Sequence, residues 1–222
     1  MANVETTATE DEYDDQDMTL VDDERLELIL GPMNSGKSTE LGRRLRIKSL
    51  YREVVAVNTT KDVRYGSEGI VTHDGTIISC IRVDSLDALR TMPAYRKAHV
   101  VAIDEGNFFP EIAQFVTSEL KLTNKTFLIS GLSGDKDKNF FGTLHELIPH
   151  AEKKDFLYAI CKRCGNGNRA PFSIDHVRFE GQEKVGGSET YEAVCRKHYD
   201  AIRFSQSIDE LKRSSPGLRL EV

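Results

Sequence analysis

No apolar run in the sequence approaches the ~20 residues that a membrane-crossing helix needs. The amino terminus lacks the basic-then-apolar order of a signal peptide. These two absences lead us to expect a cytoplasmic protein with no membrane partner. Basic side chains are missing altogether from residues 1–24, which hold ten of the 36 acidic ones. That stretch is rich in Thr, Asp and Glu and too poor in apolar residues to offset the entropy of ordering, so we expect a disordered acidic tail. The net charge of −6 therefore conceals a mildly basic body, with 30 basic against 26 acidic residues after position 24. Such a surplus suits an enzyme that handles polyanions and is too small to argue for a nucleic-acid partner. No internal repeat is visible. Cysteine is scarce, and three of the four cysteines fall beyond Tyr158.

What is present begins with Gly31-Pro32-Met33-Asn34-Ser35-Gly36-Lys37-Ser38, a full match to the phosphate-loop pattern G-x-x-x-x-G-K-[ST]. By average residue usage the bare pattern arises in roughly one chain in a hundred of this size. Its flanks fit as well. Leu26–Leu30 reads as a short apolar strand, and Ser38–Tyr51 carries Leu41, Leu45, Ile47 and Leu50 at helical spacing. In that setting backbone N–H groups cradle a polyphosphate, Lys37 reaches the outer phosphates and the Ser38 hydroxyl ligates Mg2+.

The rest of the chain alternates strands with helices. Strands are expected at Val54–Val57, Thr76–Val83, His99–Ile103 and Thr126–Ser130, the last closed by Gly131. Asp84 is expected to cap a short helix through Leu89, and Pro110 to start another carrying Ile112, Phe115, Val116 and Leu120. This order implies a mainly parallel sheet with helices on both faces, so active groups gather at the carboxyl ends of the strands. We divide the chain into the tail 1–24, an ATP-binding α/β domain 25–157, a small domain 158–204 and a polar tail 205–222 holding one or two helical turns.

Asp104-Glu105 ends one apolar strand, where a phosphate-loop protein places the acid that holds Mg2+. The second acid then either orients water, as in an ATPase, or accepts a proton from a substrate hydroxyl, as in a kinase. Cys161-x-x-Cys164 and Cys195-x-x-His198 lie 30 residues apart, and together they offer a closed Cys3His shell, the arrangement of structural rather than catalytic zinc. The competing reading is a redox Cys-x-x-Cys beside two unrelated residues. Cys80 reads as a small core residue, and the histidines outside the metal set carry little weight, although His73 lies in the polar loop near the expected site, within reach of a phosphate contact. Phe108-Phe109 and Phe140-Phe141 follow strand ends, where either pair would floor a base pocket or join the core.

Taken together, the stretch from about Leu26 to Tyr199 resembles the zinc-containing thymidine kinases of the cytosolic type. The resemblance rests on Gly31 to Leu41, Lys61-Asp62-Val63-Arg64-Tyr65, Thr72-His73-Asp74, Asp104 to Phe109, Gly186-Gly187, Tyr191 and Val194-Cys195-Arg196. It implies a P-loop kinase-like α/β fold with a small C-terminal zinc-binding domain and a lasso-like substrate loop. It further implies that Glu105 is the general base toward a nucleoside 5′-hydroxyl. Asp104 and Ser38 would serve Mg2+, while Arg64, Asp62 and Asn107 join the phosphate loop around ATP. Met33, Phe108, Leu132, Lys136, Phe141, Ser173 and Tyr191 would lie near base or sugar. The lasso residues Gln182, Glu183, Lys184, Val185 and Gly186 would close over the base. ATP, Mg2+ and structural Zn2+, a homotetramer and feedback inhibition by thymidine triphosphate follow from the same resemblance. This chain departs from the family pattern at Asn107 (usually Gln), Ser133 (usually Asp), Lys136 (often aromatic), Asp175 (commonly basic) and His198 (commonly Cys). Two other readings stand beside the kinase: a nucleic-acid-stimulated ATPase with a zinc module, and a binding protein that has lost turnover.

Overall fold

A computed structural model describes residues 24–62, 69–71, 77–176, 178–179, 181 and 190–214. Leu26–Gly31 is strand β1, and after the phosphate loop Lys37–Lys48 is helix α1. Strand β2 is Val54–Thr59, followed by a hairpin of β3 (Ile70–Val71) and β4 (Ile77–Ile78), and then by β5 (Ile81–Val83). A 3₁₀ helix at Leu86–Thr91 and the short α2 (Pro93–Lys97) lead into β6 (Val100–Ile103). Helix α3 is Ile112–Leu122, β7 is Thr126–Leu132, and a 3₁₀ helix at Leu144–His150 precedes β8 (Lys153–Phe156). The remainder holds β9 (Ala159–Ile160), β10 (Arg169–Ala170), β11 (Phe172–Asp175), β12 (Tyr191–Val194) and α4 (Arg196–Ser214).

The central sheet has the order β5-β2-β6-β7-β1-β8, and every pairing in it is parallel. Alternation along β1 shows how the two faces are covered. Leu26, Leu28 and Leu30 join one core with Phe109, Ile112, Phe115 and Leu147, while Ile29 joins Leu41 and Leu45 of α1 in a second. Both faces of the sheet are thus closed by helices, and each fully buried Leu or Ile contributes about 1.5–3 kcal/mol. Glu27 points to the α1 side, where Arg44 binds it at 2.8 Å and reaches Asp155 of β8 at 2.6 Å. This buried ion network ties α1 to the edge strand.

Several expected boundaries differ. The single strand expected over Thr76–Val83 is two, β4 and β5, which belong to different sheets. Ser85 rather than Asp84 caps the following 3₁₀ helix, because its side chain accepts from the Asp87 N–H. Pro110 lies in a turn, and α3 begins two residues later. Gly131 does not close β7, which continues through Leu132 in register with Gly31. A Cβ at Gly131 would lie 2.9 Å from Asn107 Oδ1, so glycine here permits a close approach rather than a turn. The helix in the expected tail is longer and starts earlier: α4 runs from Arg196 to Ser214, with about three turns from Ser205 onward.

Candidate active site

The parallel order brings the carboxyl ends of β1, β6 and β7 side by side, with β7 in the middle. At the end of β1 the chain turns through Asn34 (φ 59°) and Gly36 (φ 83°) into α1. Lys37 folds back across this turn, buried, with its Nζ donating to the Pro32 carbonyl oxygen at 2.8 Å. The Ser35 hydroxyl donates to the same oxygen at 2.9 Å. Strand, loop and helix therefore follow one another as the sequence implies.

Across β7, Asp104 and Glu105 close β6, and both are buried. Asp104 accepts from the Ser130 hydroxyl on β7 and from the Glu105 N–H at 3.0 Å, and the Ser38 side chain lies near it. Complete burial pushes the Asp104 carboxyl above the usual range and the neighbouring Glu105 charge adds to the rise, while Ser130, Ser38 and the Glu105 N–H oppose it. Glu105 has a left-handed backbone, φ 52°, uncommon for a residue with a Cβ. Ser38 and Asp104, near one another, are an oxygen-donor pair of the kind Mg2+ takes when it binds a polyphosphate. Ser130 was not anticipated, although its place at the end of an apolar strand was a usable signal.

Asn107 is buried below this pair, its Oδ1 accepting from the Leu132 N–H at 3.0 Å. Its Nδ2 has no partner among the described residues. Asp62 is also buried, at the carboxyl end of β2, and accepts from Asn58 at 3.1 Å. Of the two phenylalanine pairs, Phe109 belongs to the core and Phe140 is exposed, stacked on His145. Phe108 and Phe141 instead meet edge to face at 5.2 Å, so one aromatic from each pair builds the common wall. Ser173 on β11 accepts from the Met33 N–H of the phosphate loop at 2.9 Å, joining the small unit to the loop directly. Tyr191 on β12 lies 6.0 Å from the ring of Phe179. Lys136 is buried, paired with Asp137 at 2.5 Å and set over the Phe179 ring. Arg64, His73 and the stretch Gln182–Gly186 lie outside the described residues.

The four expected metal ligands converge. Cys161 and Cys164 sit in the turn between β9 and β10, Cys195 follows β12, and His198 lies in the first turn of α4. Their ligand atoms all lie within 4.8 Å of one another. His198 Nδ1 is 3.5 Å from the sulfurs of Cys161 and Cys164 and 3.3 Å from that of Cys195. Cys164 and Cys195 sulfurs are 3.6 Å apart. A tetrahedron with zinc–sulfur and zinc–nitrogen bonds of ordinary length has edges of about 3.8 and 3.6 Å, so this shell suits a zinc ion. Although burial opposes its ionisation, the Cys195 and Cys164 N–H groups and the His198 ring bring the Cys161 thiol down to about 6. A thiolate is the state that ligates metal. Cys80 lies elsewhere, half-buried on a cavity of ≈ 780 Å³ between α1 and β4 that contains none of the expected site residues.

A phosphate-type loop, a buried acid pair beside it and a Cys3His unit docked on the loop define a phosphotransferase of the P-loop-like α/β class. Comparison with known proteins names the family. A thymidine kinase family profile matches residues 24–199. The chain is 36% identical over 179 residues to a thymidine kinase of Oryza sativa, covering 78% of this chain and 65% of that protein. It is 38% identical over 176 residues to the thymidine kinase of Rabbit fibroma virus, covering 78% of this chain and 95% of the viral one. To the cytosolic thymidine kinase of Gallus gallus it is 34% identical over 197 residues, 86% of this chain and 84% of that protein. The chain belongs to the thymidine kinase family, whose function is phosphorylation of thymidine in nucleotide salvage. No described helix is long and apolar enough to cross a membrane.

Proposed function

We propose that this chain transfers the γ-phosphoryl group of ATP to the 5′-hydroxyl of thymidine and deoxyuridine. The observation that carries the reading is the meeting of Ser38 and Asp104 beside Lys37, with Glu105 next in the chain and buried. Residues Gly31 to Ser38 cradle the phosphates, with Asp62, Arg64 and Asn107 as further contacts around ATP. Ser38 and Asp104 hold Mg2+, which neutralises charge on the phosphates when bound. Glu105 accepts the 5′-hydroxyl proton as the new oxygen–phosphorus bond forms and the bond to ADP breaks. The transferring group needs little covalent help, so positioning and charge account for most of the rate.

Met33, Phe108, Leu132, Phe141, Ser173 and Tyr191 form the nucleoside side in this reading, with Lys136 at its margin. Gln182 to Gly186 connect β11 to β12, whose pairing of Asp175 with Tyr191 forms the stem of a hairpin. We assign the lasso to that connection, with zinc on Cys161, Cys164, Cys195 and His198 anchoring it. The division at 157/158, a cytoplasmic homotetramer and feedback inhibition by thymidine triphosphate complete the proposal. A nucleic-acid-stimulated ATPase is less favoured, since Lys162, Arg163, Arg169 and Arg178 are interspersed with Asp175, Glu180, Glu183 and Glu189. A coupled assay of ADP release tests the reading. Release should require thymidine and ignore DNA; release without nucleoside, or stimulated by DNA, would overturn it.

A further inference from the structure

Helix α4 extends well past residue 199, where the family match stops, and its Arg203 turns back toward the site. Its Nη1 donates to Asp175 Oδ1 on β11 at 2.7 Å and to Gln206 Oε1 at 2.7 Å. Its Nη2 donates to the Lys136 carbonyl oxygen at 2.5 Å and pairs with Asp137 Oδ1 at 3.0 Å. The guanidinium also lies over the ring of Tyr199, whose hydroxyl donates to the same Lys136 oxygen at 2.8 Å. One side chain therefore clamps β11 to the segment that follows β7.

Asp175 is fully buried, its Oδ2 has no partner among the described residues, and Arg203 is the cation paired with its Oδ1. Two residues earlier on the same strand face is Ser173, which holds the Met33 N–H. We propose that Arg203 is a positioning residue for the nucleoside. By fixing β11 against the Lys136–Asp137 turn it sets Ser173 on the nucleoside side. The inference rests on the proposed placement of Met33 and Ser173 beside the nucleoside. A lysine cannot replace Arg203 fully, because an ammonium on a single stem does not span Asp175, Asp137 and the Lys136 carbonyl as a planar fork does.

The test is steady-state kinetics of the zinc-loaded full chain with Arg203→Ala and Arg203→Lys. In Arg203→Ala the KM for thymidine should rise about tenfold, within the range that ångström-scale misplacement costs, while the KM for ATP, kcat and zinc content stay within about twofold of wild type. Arg203→Lys should fall between, and it carries the test alone if the alanine variant does not fold. A role in stability alone would lower the melting temperature and the active fraction with both KM values unchanged. That result, or equal rises in the two KM values, would overturn the inference. Wild-type enzyme that failed to phosphorylate thymidine would overturn the functional reading and this inference with it.

Discussion

At Asp104 the folded chain holds a carboxylate against its own burial and against the charge of Glu105, with Ser130, Ser38 and one backbone N–H in support. Its folded pKa lies above the unfolded value, so the folded state binds the proton more tightly. The contribution of this site to stability is therefore most favourable at low pH, and it declines as pH rises from the unfolded pKa through the raised one. Replacing Asp104 by Asn should remove that cost and raise stability at neutral pH by roughly 1 kcal/mol, or ~2–4 °C in melting temperature. Turnover should collapse at the same time, because the Mg2+ contact is lost. Glu105→Gln should part from it. ATP binding stays near wild type because the phosphate loop is untouched, while transfer falls about a hundredfold to ten-thousandfold through loss of the base. Calorimetry and single-turnover kinetics on the two variants check the pair. Near-normal chemistry in Glu105→Gln would remove the assigned role.

At the scale of the element, the small unit has little apolar core of its own. The buried cluster there is Ala159, Cys161, Ala170, Ile174, Ala193, Val194 and Tyr199, with few large side chains. So small a core needs a further tie, and zinc on the four ligands would join the β9–β10 turn to β12 and α4. Chelation should therefore loosen β11 and its Ser173–Met33 hydrogen bond before the parallel sheet melts. Hydrogen exchange should show early loss at β11 and β12 alongside a rising thymidine KM. Fully active enzyme lacking stoichiometric zinc would contradict this. The same elements mark where sequence was readable. β1, α1, β6 and β7 carry uninterrupted apolar patterns or a fixed motif, and the metal ligands carry their spacing. Strand β8, Lys153-Lys154-Asp155-Phe156, is a polar edge strand with no such pattern. Helix α4 buries Tyr199 and leaves Phe204 and Leu211 exposed, so charge and hydrogen bonds at Arg203 replace the apolar stripe that would have announced it. The Asp84 expectation failed because two adjacent capping types were present, and only Ser85 has the geometry.

For the whole molecule, the loop after β1 and the acid pair after β6 are joined to the small C-terminal unit by the Met33–Ser173 hydrogen bond, and the proposed reading makes the first the phosphate side and the second the anchor of the nucleoside side. Lys136 and Asp175, two of the departures from the resembled pattern, pair with Asp137 and Arg203 of the same chain. On the proposed reading, base recognition falls to main-chain groups of the 182–186 connection, where N–H groups would donate to the two thymine carbonyls and a carbonyl would accept from N3–H. Cytosine reverses two of those three edges. Each buried group left unpaired costs about 1–3 kcal/mol. Deoxyuridine keeps the pattern and lacks only a methyl, worth roughly 1–3 kcal/mol at most. The most direct test is kcat/KM for thymidine, deoxyuridine and deoxycytidine, measured side by side on the wild-type enzyme. The account predicts that thymidine and deoxyuridine are both phosphorylated and that deoxycytidine is rejected; deoxycytidine turnover comparable to that of thymidine would contradict it.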